Sequence, residues 1–236
     1  MAQHDYNIAN LAGAAFRADL NDALAAIRTN NSGSGQPASK FAYQWYVDSD
    51  DHALYIGNGG GTDYIEVGDA SLVNLGLKKT RRATAQASTS GTAITFGSIP
   101  SWANRITMML YGVSTNGSNE LIVQLGTASG FVTSGYNSNS EAVTGTVSQY
   151  SSAGFLLQPG NASTYLNSGI VHMIRVDGNN WVYTSNIKRA AVSGTTVSTY
   201  GAGDATLGAV LTQVRLTSTS TPDTFDAGTV NIVYES

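Results

Sequence analysis

From residue 92 onward the chain is a succession of short apolar or alternating runs at close spacing, near residues 92–96, 105–113, 121–125, 130–136, 144–149, 154–157, 169–176, 181–185, 195–199, 210–218 and 229–234. Nothing of helical period interrupts them. A period of two puts successive side chains on opposite faces of a strand. Val230, Ile232 and Tyr234 alternate in this way with Thr229 and Asn231, and Val214 and Leu216 with Gln213 and Arg215. Asp177-Gly178-Asn179-Asn180 separates two runs with residues that tolerate the positive φ angles of a tight hairpin. Many short antiparallel strands without a repeat of fixed period predict a β-sandwich of jelly-roll type, and argue against a propeller or β-helix. Residues 105–113 carry apolar side chains on both alternating faces and are expected to be buried on both sides.

The chain before this region reads differently. Residues 11–28 are rich in Ala, Leu and Arg, and Phe16, Leu20, Ala23, Leu24 and Ile27 step by three and four into one apolar stripe, which predicts a helix. A helix this short is marginal alone in water, so the stripe needs a partner surface. Either it folds back on its own domain, or copies of it close a parallel three-fold seam. Residues 30–39 form a flexible connector by composition. Strand signals at 41–47, 53–57 and 64–67, separated by DSDD and NGGGT, predict a small β-meander over residues 41–68. Three short strands bury too little to stand alone. The Gly59-Gly60-Gly61 run has no following Lys-Ser/Thr and no helix start, so it reads as a hairpin loop and not a phosphate cradle. Residues 72–82 end in KKTRR and read as a basic linker, which closes an N-terminal region of residues 1–82; the sandwich is expected over residues 88–236.

Charge and composition narrow the function classes. Only 12% of residues are charged and the formal net charge is -4, which gives no general attraction to nucleic acid or to anionic lipid. The chain has no cysteine, so neither disulfides nor thiolate metal sites contribute. No apolar run is long enough for a membrane span, and the start MAQHDYNIAN has neither the basic nor the apolar region of a secretory signal, so the expectation is a protein made in a cytosol.

Three segments, IPSWANRITMMLYGVSTNGS (99–118), LIVQLGTASGFVTSGY (121–136) and DTFDAGTVNIVYE (223–235), resemble the C-terminal head domain of tail fibres from tailed bacteriophages. HDYNIANLAGAAFRADLNDALAAI (4–27) followed by YQWYVDSDD (43–51) resembles the virion-proximal start of phage fibre-like proteins, including those of phages of cyanobacteria. The resemblance implies a homotrimer made in the host cytoplasm and carried on the virion, whose start attaches to other tail or baseplate proteins and whose end reaches the host surface. The chain lacks the shaft that separates these parts in long fibres.

The residues offer little for catalysis. His4, His52 and His172 are scattered without metal-ligand spacing, no G-x-S-x-G elbow is present, and neither a metal nor a cofactor is implied. Glu120 and Glu141 are the best acid pair for a glycosidase, yet both fall in Asn- and Ser-rich stretches that read as hairpin tips. The expectation is a non-enzymatic protein. Flat aromatic faces beside amides and hydroxyls suit sugars, and the candidates for binding a host surface polysaccharide are Asn116, Asn119, Tyr136, Asn137, Asn139, Tyr165, Trp181 and Tyr200, with Tyr150, Asn179 and Asn180 beside them. Trp181 has the alternative of covering the core. Two other functions stay open: a structural component without a ligand, such as a head decoration or tail adaptor, and a polysaccharide-degrading tailspike.

Overall fold

The computed structural model describes residues 4–5, 7–8, 10, 12–71, 73–76, 79–143, 145, 148–191, 194, 196–219 and 223–236. The chain is mainly β and divides into two compact units, Met1–Lys78 and Lys79–Ser236.

In the first unit the helix α1 spans Gly13–Arg28; Leu11, where a start was expected, lies outside the described residues. Ala12 before it offers no side-chain cap. At the other end Thr29 Oγ1 donates to the Ala25 carbonyl at 2.9 Å, and Asn30 and Asn31, at φ 49° and 56°, take the left-handed conformations that stop a helix. Of the expected stripe the helix buries only Ala23, together with Ala26 beside it, and leaves the large side chains uncovered. Phe16, Leu20, Leu24 and Ile27 are 42%, 38%, 54% and 61% exposed.

Strands β1 (Trp45–Val47), β2 (Ala53–Gly57) and β3 (Tyr64–Asp69) form the expected antiparallel meander in that order. β1 starts later than the apolar run at 41–47 because Tyr43, at φ 62°, breaks the extended backbone. Asp48 Oδ1 accepts from the Asp50 N–H at 2.9 Å and Asn58 Oδ1 from the Thr62 N–H at 3.0 Å, so each predicted turn is closed by its own side chain. Tyr46 is the core of this sheet, stacked on Tyr55 at 4.7 Å and edge-on to Tyr64 at 4.5 Å. The other face carries the cross-strand row Trp45, Ile56 and Ile65, of which Trp45 and Ile65 are exposed.

The second unit is a sandwich of two antiparallel sheets. Its strands are β4 (Thr80–Arg82), β5 (Gln86–Ala87), β6 (Ala93–Phe96), β7 (Arg105–Thr115), β8 (Leu121–Thr127), β9 (Gly130–Phe131), β10 (Asn137–Ala142), β11 (Ser148–Ser151), β12 (Phe155–Leu156), β13 (Tyr165–Asp177), β14 (Asn180–Ala191), β15 (Thr196–Thr206), β16 (Gln213–Ser218) and β17 (Phe225–Glu235). The nine-stranded sheet runs β11-β10-β15-β14-β13-β7-β17-β4, with β5 also on β17; the five-stranded sheet runs β12-β8-β16-β6, with β9 on β8. Between them lie Ile106, Met108, Val171, Met173 and Ile232 from the large sheet and Val123, Leu125, Val214 and Leu216 from the small one. Gly178, at φ 45°, forms the expected hairpin between β13 and β14.

Several boundaries differ from the sequence reading. The strand buried on both faces is β8, all of whose residues are buried; β7 hides Ile106, Met108 and Leu110 but leaves Tyr111 79% exposed. The residues expected as a basic linker include an edge strand instead, because β4 pairs with β17 and presents Arg81 and Arg82 to solvent. Charge on an edge strand hinders pairing with a further chain. Lys78 lies outside the described residues.

At the β10 end the core turns polar. Ser138 Oγ accepts from the Leu156 N–H at 2.8 Å and bonds the Tyr183 hydroxyl at 3.0 Å, while Ser140 Oγ reaches the Leu157 carbonyl at 3.2 Å. Hydroxyls thus tie the two sheets alongside their aromatic contacts. Gly201 is required here, since a Cβ would come within 2.5 Å of the Tyr183 hydroxyl and 2.8 Å of the Leu156 carbonyl. Phe155 stacks on Tyr183 and meets Tyr136 edge-on, and burial pushes the Tyr136 and Tyr183 hydroxyls up to about 12. Both pKa values lie above the unfolded 10.0, so this stability is complete below pH 10 and is lost as the pH rises through about 12. The expected loss is roughly 2 kcal/mol per tyrosine by the upper end of that window. Urea midpoints measured across it check this; Tyr183→Phe is expected to lose stability less steeply, and an equal slope would show that the hydroxyl is not the group responsible.

Candidate functional site

Strand β10 alternates strictly, with Asn137, Asn139 and Glu141 outward and Ser138, Ser140 and Ala142 inward. Its neighbour β15 turns Tyr200, Ala202 and Asp204 to the same outer face, and β14 turns out Thr184 and Asn186. Register sets Asn139 opposite Ala202 and Ala202 opposite Thr184, while Glu141 faces Tyr200. Ala202 is therefore a short side chain ringed by longer ones. Along a strand its neighbours are Tyr200 and Asp204; across strands they are Asn139 and Thr184. The result is an open cleft of about 510 Å³, lined among others by Asn139, Glu141, Val143, Thr184 and Tyr200.

The Tyr200 side chain is well placed to be a wall of this cleft, at 52% exposure. Tyr150, on β11 and paired with Asn139 from the other side, is 62% exposed and anchors its hydroxyl on the Tyr136 carbonyl at 3.2 Å. Asn137 Nδ2 donates to Asp204 Oδ2 at 3.3 Å. The patch thus offers the aromatic faces of Tyr200 and Tyr150, the amides of Asn137 and Asn139, the Thr184 hydroxyl and the carboxylates of Glu141 and Asp204 on a rigid sheet. Such a set binds a polar ring by stacking one apolar face and hydrogen-bonding its edge.

Of the residues singled out from the sequence, Asn137, Asn139, Tyr150 and Tyr200 come together on this face. Tyr136 and Trp181 do not reach any surface, and both are withdrawn as contacts: they are 1% and 2% exposed. The Tyr136 hydroxyl accepts from the Leu125 N–H at 2.7 Å and donates to the Val132 carbonyl at 3.1 Å, so the side chain is bound within the core. Trp181 points inward with Tyr183 and Ile187, the odd-numbered face of β14. Asn119 and Asn116 lie in a different loop and hold it closed. The Asn119 N–H and Nδ2 both donate to the Asp223 carboxylate at 2.8 Å, and Asn116 Oδ1 accepts from the Thr224 N–H at 2.9 Å. Tyr165 opens β13 and lies under the Arg189 guanidinium at 4.8 Å, away from the cleft lining. Asn180 serves its hairpin, through Asp177 at 2.7 Å and Thr206 at 2.8 Å.

The stretch 136–141 is not a hairpin tip, because residues 137–141 form most of β10. Glu141 is therefore a sheet residue in the cleft, whereas Glu120 accepts from Thr219 Oγ1 at 2.8 Å and is not among the cleft's lining residues. His172 Nδ1 is 3.1 Å from Thr107 Oγ1, and His4 Nε2 is 2.9 Å from Asp19 Oδ1. Among the described residues no three His, Asp or Glu side chains group as metal ligands, and no helix is long and apolar enough to cross a membrane. Thr184 went unnoticed in the sequence, although its place between Tyr183 and Ser185 in an alternating run marks it as outward. In comparisons with known proteins, no family model, no curated protein and no solved structure matches the chain.

Proposed function

We propose that the chain is a structural fibre protein of a tailed-phage virion that attaches the particle to its host, acting as a homotrimer and binding a surface polysaccharide on the outer face of the large sheet. The observation that carries the reading is the cleft around Ala202, where Tyr200, Asn139 and Thr184 surround a short side chain on a rigid sheet. It is joined by the resemblance of residues 99–118, 121–136 and 223–235 to fibre heads. The exposed stripe of α1 supplies a self-complementary surface for three copies, and the exposed Trp45 and Ile65 offer an apolar contact for other virion proteins. A shallow site is sufficient in such an assembly, since linked sites raise avidity by roughly 10²- to 10⁴-fold. The protein is read as non-enzymatic, needing no cofactor; Glu141 lines the cleft, and Asp204 on the same face is held by Asn137.

Binding of the purified protein to host envelope polysaccharides tests this. Tyr200→Ala is expected to weaken binding at least about tenfold, equivalent to roughly 1.4 kcal/mol, with no change in melting temperature, because the ring is half exposed. Binding that survives both Tyr200→Ala and Tyr150→Ala excludes this face. The exposed apolar surfaces of the first unit also favour a second reading, an adaptor that holds other fibre chains; it predicts no polysaccharide binding at all. Shortening of a bound polysaccharide by the purified protein would establish a tailspike instead.

A further inference from the structure

The outer face of the small sheet holds a cationic cavity that the proposed function does not use. Arg215 sits in the middle of this face, in register with Gln124 on β8 and Thr95 on β6. Its Nε–H donates to Gln124 Oε1 at 2.8 Å, and Gln124 Nε2 in turn donates to the Ala153 carbonyl at 2.7 Å. The guanidinium lies over the Phe131 ring, 4.2 Å from its centroid. The plane of the guanidinium is thereby fixed by an amide and a ring, neither of them anionic. A cavity of about 230 Å³ opens beside it, lined among others by Ile122, Gln124, Thr133, Thr217 and Thr219.

Every Asp and Glu of the chain is among the described residues, and none lies within 4.0 Å of the Arg215 nitrogens. Among the described residues its Nη1 and Nη2 groups make no hydrogen bond. Burial disfavours the charge, lowering the pKa, and no carboxylate of the chain compensates. A desolvated guanidinium with a free two-nitrogen fork is the geometry that receives a planar oxyanion in bidentate fashion. Glu120, which accepts from Thr219 Oγ1 at 2.8 Å, puts one negative charge beside the cavity and so disfavours a phosphate dianion relative to a single carboxylate. Ile122 and Thr217 are buried, but Thr133 is exposed and Thr219 half-buried, and their hydroxyl oxygens suit the hydroxyls of a sugar ring attached to that carboxylate.

We propose that the Arg215 cavity binds a carboxylate-bearing sugar of the hexuronic acid class. The proposal does not rest on the Tyr200 cleft, which lies on the other sheet, and Tyr200→Ala is expected to leave it unaffected. The test titrates the full-length protein with sodium glucuronate, its methyl ester, glucose, acetate and inorganic phosphate, read by calorimetry or by chemical shifts. Glucuronate is expected to bind at least about tenfold more tightly than each of the others, and Arg215→Gln to remove that preference. Thr133→Trp, a change at an exposed position on the rim, is expected to close the cavity and abolish binding with the melting temperature unchanged. Equal binding of the acid and its ester overturns the proposal, as does phosphate or acetate matching glucuronate, glucuronate binding that survives Thr133→Trp, or no glucuronate binding at about 10 mM, a weaker affinity than specific sites usually show.

Discussion

Trp181→Ala is expected to destabilise the second unit by about 3–5 kcal/mol, the range for removing a large buried aromatic. Trp181 is 2% exposed and belongs to the cluster that joins both sheets, so its loss leaves a void that strands on either side cannot close. Such a loss is comparable with half the stability of an ordinary domain. A milder change at the same position, Trp181→Phe, separates two roles for this residue. Were the indole a sugar contact, Trp181→Phe would abolish polysaccharide binding while the protein stayed folded. Since the indole is in the core, Trp181→Phe is expected to lower the urea midpoint and leave the affinity of the folded fraction unchanged.

Sedimentation of the full-length protein at micromolar concentration is expected to give three times the 24.6 kDa chain mass, and the double change Leu24→Glu with Ile27→Glu to give a single chain. Phe16, Leu20, Leu24 and Ile27 leave a continuous apolar stripe on α1 uncovered while the small residues Ala23 and Ala26 face inward. Burying each large side chain in a seam is worth about 1.5–3 kcal/mol. Two carboxylates per helix at that seam would set six like charges around one axis, a repulsion that burial makes severe. A wild-type protein that sediments as a monomer would remove the trimer from the proposed function.

The fold class could be read from the chain because alternation is a local signal: β14 and β17 announce themselves through every second residue. The helix and the meander were legible for the same reason, through the spacing of Phe16, Leu20 and Leu24 and through turns closed by Asp48 and Asn58. What escaped was set by partners far along the chain. Residues 80–82 look like a charged linker until β17 arrives to pair with them. β10 has inward serines, so no apolar pattern marks it; it exists as a strand because β15 pairs with it, Ser138 Oγ accepts from the Leu156 N–H of β12, and Ser140 Oγ donates to the Leu157 carbonyl. Trp181 shows the converse. Its alternation with Tyr183 and Ile187 already placed it on an apolar face, and that pattern carries more weight than the affinity of indoles for sugars. The cleft itself was only partly legible, since it depends on Ala202 lying between Asn139 and Thr184, a register that no single strand encodes.

The position of β17 has a bearing on how the protein is made. This strand lies inside the large sheet, with β7 on one side and β4 and β5 on the other, and its partner residues were synthesised far earlier. A nascent polypeptide whose residues past 225 are still in the exit tunnel lacks the second-to-last strand of its largest sheet, which leaves β7 an open edge and β4 and β5 without their partner. Such pairings between distant segments are slow to form. Closure must therefore wait until β17 has emerged, and until then the earlier strands depend on chaperones or dilution to escape mispairing with their neighbours on the same message.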